Sequence, residues 1–149
     1  MKKILIVLFL AFACFSSNKG SDVNSLFLEN CNLGRKLSFA GKIMGPKEFF
    51  FNMELQFNED GTVWGTYIVI NGAKQNVELR GVYNEEKEYI LLYEYDIQDR
   101  RTGYYFKGAL REIYSEQSFR LIGFTLDGRY IKNGTKVNWP FKAESYQWG

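Results

Sequence analysis

The chain has 149 residues, 46% of them hydrophobic and 17% aromatic, which suits one domain with a proper core and excludes wholesale disorder. It contains no histidine, which excludes histidine-based triads, general bases and metal sites. Lys2 and Lys3 supply the whole net charge of +2, because residues 1–13 contain no acid and the remaining 17 Lys and Arg balance 17 Asp and Glu. This balance disfavours a nucleic-acid partner and a polybasic membrane-surface module.

The first predicted element is an export signal. Residues 1–3 form a short positive segment, and residues 4–13 form an apolar run of ten residues. Such a run is too short to span a bilayer as a helix, which takes about 20 residues. Ala11-Phe12-Ala13 is an A-x-A cleavage site directly before Cys14. We therefore predict a signal peptide over residues 1–13, then a tether and lead-in over residues 14–34.

Cys14 has two interpretations. The segment resembles a bacterial lipoprotein signal, in which a short apolar region and a small residue precede a lipid-modified cysteine. This resemblance implies a lipid anchor on Cys14 and a place in the bacterial cell envelope, at the outer membrane, facing the periplasm or the cell surface. Ala11 and Phe12 stand where that pattern prefers Leu and a small residue. The alternative is plain secretion, in which case a disulfide between Cys14 and Cys31 becomes feasible.

Residues 35–149 are predicted to form an all-β domain. The clearest strand is 49–57, whose apolar residues fall on alternate positions, with polar residues on the other face apart from Phe50. No segment has a helix-length 3.6-residue period, so parallel βαβ units are excluded. The predicted strands, separated by turn signals such as Asp60-Gly61, are 36–43, 49–57, 62–70, 76–83, 89–96, 103–111, 118–125 and 138–143.

The strands and their short turns predict one antiparallel meander. Closure into an approximately eight-stranded up-and-down barrel is expected, because an open flat sheet would leave long exposed edges. A two-sheet β-sandwich is the alternative. A longer loop carrying Asp127-Gly128 and Asn133-Gly134 is expected before the last strand. Five glycines share the inward parity of the large residues, as expected at the bends of a small barrel: Gly41, Gly65, Gly81, Gly108 and Gly123.

Gly-x-Tyr units recur at 65–67, 81–83 and 103–105. These units resemble the Gly-x-aromatic strands of avidin-like and lipocalin-like barrels, and the resemblance covers roughly residues 36–143. It implies the fold only. The lipocalin Gly-x-Trp signature, its paired cysteines and the avidin biotin-site residues do not map onto this chain, so no site residue is carried over.

The candidate ligand-binding residues are aromatic. Side chains of this kind at the open end of a barrel bind small apolar or aromatic ligands. Filling of the core is the competing interpretation, because eight strands enclose a space that side chains can fill. Buried tyrosine and tryptophan also need a polar partner, which favours a partly open interior. The residues expected to line it are Tyr67, Tyr83, Tyr93, Tyr104 and Trp139.

An acidic stretch holds Glu94, Asp96 and Asp99. Paired carboxylates serve in glycoside hydrolysis, but we interpret these as a solvated strand end and turn, although Glu94 shares its parity with apolar residues. No catalytic site, metal site or cofactor is predicted. We expect a non-catalytic, exported, lipid-anchored barrel that binds a small, partly apolar ligand. The alternative is an inhibitor or accessory lipoprotein with a filled barrel, whose outer surface binds an envelope protein.

Overall fold

A computed structural model describes residues 36–146 as eight antiparallel strands. The export segment, Cys14, Cys31 and the tether lie outside the described residues. The strands are β1 (Lys36–Met44), β2 (Glu48–Phe57), β3 (Thr62–Val69), β4 (Val77–Asn84), β5 (Tyr89–Tyr95), β6 (Arg101–Tyr114), β7 (Leu121–Lys132) and β8 (Asn138–Tyr146). Each strand pairs with the next, and β8 pairs with β1 to close the sheet. The predicted up-and-down barrel is confirmed, and the sandwich is wrong.

Because the strands alternate in direction, their connections fall at two ends of the barrel. The upper end carries the four connections 45–47, 70–76, 96–100 and 133–137. The lower end carries the three connections 58–61, 85–88 and 115–120, together with Lys36, where β1 begins. The described chain therefore enters the barrel at the lower end, and every connection at the upper end is a loop between two neighbouring strands.

Packed apolar side chains occupy the interior between the two ends. The alternation expected for β2 is confirmed, since its inward residues from Phe51 to Phe57 are at most 3% exposed. Phe51, Phe106 and Phe141 meet at the centre, with ring centroids 5.0 to 6.5 Å apart. Each of these three rings is at most 1% exposed. Core filling is therefore the correct interpretation for the middle of the barrel.

Gly41, Gly65, Gly81 and Gly108 face inward as predicted and lie where strands approach closely. The prediction is wrong for Gly123, which faces outward because the next residue along β7, Phe124, is buried in the interior. A Cβ atom added to Gly81 would lie 1.7 Å from the carbonyl oxygen of Leu91. One added to Gly128 would lie 2.1 Å from the carbonyl oxygen of Lys107. Gly128 pairs with Gly108 within the β6–β7 ladder. The prediction that Asp127-Gly128 lies in a loop is therefore wrong: this glycine permits close contact between two strands and does not form a turn.

Candidate functional site

A polar cluster lies inside the upper end of the barrel. Its centre is Glu94, which is only 4% exposed. Both carboxylate oxygens of Glu94 accept hydrogen bonds from Lys74 Nζ at 2.7 Å. Tyr67 donates its hydroxyl hydrogen to Glu94 Oε2 at 2.5 Å, and Lys74 Nζ also donates to the Tyr130 hydroxyl oxygen at 3.0 Å. We call these four residues the upper-end cluster.

The expectation that Glu94 belongs to a solvated strand end is wrong. Its side chain points inward with Ile90 and Leu92, both of which are fully buried, because alternate residues of a strand share one face. Asp96 and Asp99 do lie beyond the end of β5, in the connection to β6. A carboxylate on an apolar face is stable only when it is paired and hydrogen-bonded. Lys74 and Tyr67 meet that requirement.

Lys74 reaches Glu94 from the loop between β3 and β4. The backbone of this loop is held in place because Val69 N donates to the Lys74 carbonyl oxygen at 2.8 Å. The side chain of Asn71 ties the loop to β2: its Oδ1 accepts from Phe50 N at 2.8 Å, and its Nδ2 donates to the Glu48 carbonyl oxygen at 2.9 Å. These bonds hold the loop where the Lys74 ammonium group reaches the barrel interior.

The hydrogen bonds and charges of the cluster are closely matched. Lys74 has three N–H donors, and they meet the two Glu94 oxygens and the Tyr130 hydroxyl. Burial lowers the pKa of Lys74, the Glu94 carboxylate opposes this effect, and the nearby Lys132 ammonium adds to it. Burial raises the pKa of Tyr67 and of Tyr130 well above the usual tyrosine value, so both stay protonated. The cluster is therefore a hydrogen-bonded ion-pair network.

Aromatic rings surround this cluster at the upper end. The Tyr104 ring stacks on Tyr130 with centroids 5.3 Å apart. Phe49 and Trp139 form a second stacked pair at 6.2 Å. The two pairs are linked through the sheet, because Tyr130 and Trp139 are direct partners in the β7–β8 ladder. Phe49, Tyr104 and Trp139 are half-buried and pack against the core.

The structure brings three of the five predicted ligand-binding residues to this end: Tyr67, Tyr104 and Trp139. Tyr83 also points inward, but it lies near the lower end, where its ring packs edge-on against Phe57 at 5.6 Å. The prediction that Tyr93 lines the interior is wrong. Tyr93 lies between two inward residues of β5, so the pleat of the strand directs it outward.

On the outer face, Tyr93 belongs to a row of aromatic and cationic side chains. Its ring lies 5.8 Å from the Tyr105 ring and 3.9 Å from the guanidinium carbon of Arg101. Trp64 pairs with Arg80 in the β3–β4 ladder, and Arg80 pairs with Tyr93 in the β4–β5 ladder. Trp64 is 62% exposed, so this row reaches solvent.

Comparison with known proteins gives no match to a family model, to a curated protein or to a solved structure. The feature that this structure shares with avidin-like and lipocalin-like proteins is the closed antiparallel barrel of eight strands. Within residues 36–146, no helix has the length and apolar character needed to cross a membrane. The same residues hold no group of three or more Cys, Asp or Glu placed to bind a metal ion.

Proposed function

We propose that this chain is a non-catalytic, exported β-barrel protein that binds a small, partly apolar ligand at the upper end of the barrel. The observation that carries this proposal is the half-buried aromatic set Phe49, Tyr104 and Trp139. Within this set, the Tyr104 ring lies beside the ammonium groups of Lys74 and Lys132, and the Phe49 ring lies beside that of Lys47. Ligand sites combine aromatic surfaces with a few placed polar groups. Structural core residues are usually covered completely, as Phe106 is here.

The proposed site is shallow. Phe51, Phe106 and Phe141 fill the centre of the barrel, and the Lys74–Glu94 pair lies above them. A ligand would therefore rest on the upper end, against Tyr104 and Trp139, and would not enter the middle of the barrel. This arrangement suits a ligand with one flat apolar part and limits the apolar area that binding can cover.

The proposal includes export and, on the lipoprotein-like signal, an anchor on Cys14. Because β1 begins at the lower end, a tether from Cys14 would join the barrel on the side opposite the proposed site. Growth with a labelled fatty acid is expected to label the protein, and Cys14→Ala is expected to remove that label. Equal labelling of the two forms would contradict a lipid anchor at this residue.

Binding at the upper end can be followed through Trp139. The chain has three tryptophans, so the double variant Trp64→Phe/Trp148→Phe leaves Trp139 as the sole fluorophore of this kind. We expect N-phenyl-1-naphthylamine, a neutral aromatic probe, to quench Trp139 fluorescence with saturation at one molecule per chain. In the protein that keeps all three tryptophans, binding is measured through the fluorescence of the probe itself. In that protein, Phe49→Ala should weaken probe binding about tenfold, because it removes one large apolar contact.

The control for this experiment is Phe50→Ala, which alters the neighbouring residue on the outer face of β2, where Phe50 is 47% exposed. This variant should bind the probe as the unchanged protein does. A linear, non-saturating response, or equal effects of the two substitutions, would overturn a site at the upper end. If instead the probe binds with saturation and only Phe49→Ala weakens it, native mass spectrometry of protein purified from its own cells would identify the natural ligand.

A second candidate function is protein interaction through the outer aromatic row. The exposed Trp64 with its neighbours Arg80, Tyr93 and Tyr105 has the composition of an interaction hot spot. A photocrosslinking residue at position 64 is expected to capture an envelope protein that the same residue at position 52, exposed on the outer face of β2, does not. Identical capture at both positions would remove this candidate.

A further inference from the structure

Three lysines at the upper end direct their ammonium groups onto aromatic rings. Lys74 Nζ lies 3.7 Å from the centroid of the Tyr104 ring, and Lys132 Nζ lies 4.7 Å from the same centroid. Lys47 Nζ lies 4.8 Å from the centroid of the Phe49 ring. Cation–π contacts of this kind stabilise an ammonium group only weakly when it is exposed. They do not neutralise its charge.

Only one of these three charges is balanced within the described residues. Glu94 pairs with Lys74 and uses both of its oxygens to do so. Between residues 36 and 146, no Asp or Glu forms an ion pair with Lys132 or with Lys47. Positive charge therefore accumulates beside the half-buried rings of the proposed site.

Lys132 is the cation best placed to meet a ligand. It is the direct partner of Tyr104 in the β6–β7 ladder, so its position beside that ring is set by the sheet and not by a loop. Lys74 shares the ring, but its three donors are already used within the upper-end cluster. Two like charges beside one ring repel each other. An anion between them and solvent would relieve that repulsion.

The connections at the two ends differ in charge, which favours the approach of an anion to the upper end. The lower connections contain six carboxylate residues, namely Glu59, Asp60, Glu85, Glu86, Glu88 and Glu116, against the two cations Lys87 and Arg120. The upper connections contain four cations, namely Lys47, Lys74, Arg100 and Lys136, against Asp96 and Asp99. An asymmetry of this kind steers a charged ligand toward one end of a molecule.

We infer that the ligand of the upper end is a small organic anion with an aromatic ring, its anionic group bound by Lys132 and its ring lying against Tyr104 and Trp139. This inference rests on the proposed function and adds the charge of the ligand. A neutral aromatic ligand would leave the Lys132 ammonium without a counter-charge among the described residues, and a cationic ligand would be repelled by it.

Two probes separate the charge of the ligand from its apolar part. 8-Anilino-1-naphthalenesulfonate carries a sulfonate on the same ring system as N-phenyl-1-naphthylamine, which is neutral. We expect the full-length protein to bind the sulfonate about tenfold more tightly than the neutral probe at low salt, as a charge-assisted hydrogen bond provides. This preference should shrink as the ionic strength rises. Near-ultraviolet circular dichroism checks that each preparation is folded, since the sulfonate also binds partly unfolded proteins.

Lys132→Met is the decisive variant. It keeps the length of the side chain and removes the charge, so it should weaken sulfonate binding about tenfold and leave the neutral probe unaffected. Lys132→Arg should keep most of the preference for the sulfonate. The matched control is Lys136→Met, which removes an exposed charge from a loop at the same end of the barrel. Lys136 forms no cation–π contact with a described ring, so this variant should change neither affinity by more than about twofold.

The outcomes separate the inference from the proposed function. If both probes bind with equal affinity and both lose affinity in Phe49→Ala, the upper-end site stands and the anionic ligand is overturned. If the sulfonate is preferred but Lys132→Met and Lys136→Met have the same effect, the assignment of Lys132 is overturned. If neither probe binds with saturation, the inference and the proposed function fail together.

Discussion

Lys74→Met is expected to lower the free energy of unfolding by about 3 kcal/mol at neutral pH, a larger loss than a surface lysine produces. The loss is large because the substitution leaves the buried Glu94 carboxylate without its cation. Glu94, whose side chain is 5% exposed, would lose the partner that donates to both of its oxygens and would keep a hydrogen bond from Tyr67. A buried carboxylate without a counter-charge destabilises the folded state more than the original pair stabilises it.

Glu94→Gln separates the charge from the hydrogen bonds. Alone, it should destabilise the protein by only about 1 kcal/mol, because Lys74 is 29% exposed and can take up water. In the double variant Lys74→Met/Glu94→Gln, neither charge remains, and the amide oxygen can still accept from Tyr67. We expect this variant to be more stable than Lys74→Met, which is the signature of an energetic coupling between two residues in contact.

Urea unfolding followed by circular dichroism measures these differences. Lys136→Met is the control, since Lys136 is exposed in a loop at the same end, and its loss should change the free energy of unfolding by about 0.5 kcal/mol or less. If the double variant were destabilised by the sum of the two single losses, Lys74 and Glu94 would not be coupled. The side chains of the upper-end cluster would then contribute to the free energy of unfolding through packing and not through the interaction of their charges.

The barrel itself could be predicted from the sequence because its signals are local. The pleat forces alternate residues to opposite faces, so the apolar set of β2 was identified from spacing alone. Asp60-Gly61 forms a turn as predicted: Gly61 has a φ of 82° and donates its N–H to the Asn58 carbonyl oxygen. Asp127-Gly128 carries the same pair of residues, but there the requirement is close contact with Gly108, which lies on another strand.

The candidate site could be predicted only in part, because it depends on contacts between distant residues. Glu94 gave a usable signal, since a carboxylate on the parity of Ile90 and Leu92 implies a buried charge that needs a cation. Lys74 gave none, because it lies in a loop without periodicity and is 20 residues away from Glu94. Which lysine pairs with Glu94 is decided by the loop and its bonds to β2.

The protein is expected to lose stability steeply above pH 10. Burial is the main cause of the raised pKa of Tyr67, Tyr130 and Tyr83, and for Tyr83 the carboxylates at the lower end add to it. A tyrosine titrates near 10.0 in the unfolded chain. Above that pH the unfolded chain releases protons that the folded protein keeps, so the stability that is complete below pH 10 is lost as the pH rises.

The expected slope follows from the number of buried tyrosines. Each contributes about 1.4 kcal/mol per pH unit above pH 10, and three contribute about 4 kcal/mol per pH unit. Lys74 acts in the opposite direction, because its lowered pKa makes the unfolded chain hold the extra proton, but this effect ends above its unfolded value of 10.5. Between pH 10 and pH 12 the loss amounts to about 8 kcal/mol, so a domain at the lower end of the ordinary range, with a stability of about 5 kcal/mol, would unfold before about pH 12.

Urea unfolding at a series of pH values measures the slope, and absorbance of tyrosinate follows the ionisation. Tyr83→Phe, which lies away from the upper-end cluster, should reduce the slope by about one third, or about 1.4 kcal/mol per pH unit. Val63→Ala is the matched control: Val63 is fully buried and has no proton to lose, so its removal should lower stability equally at every pH. If Tyr83→Phe also shifted the curve without changing its slope, Tyr83 would ionise as readily in the folded protein as in the unfolded chain. Loss of stability at high pH would then have to come from the tyrosines at the upper end alone.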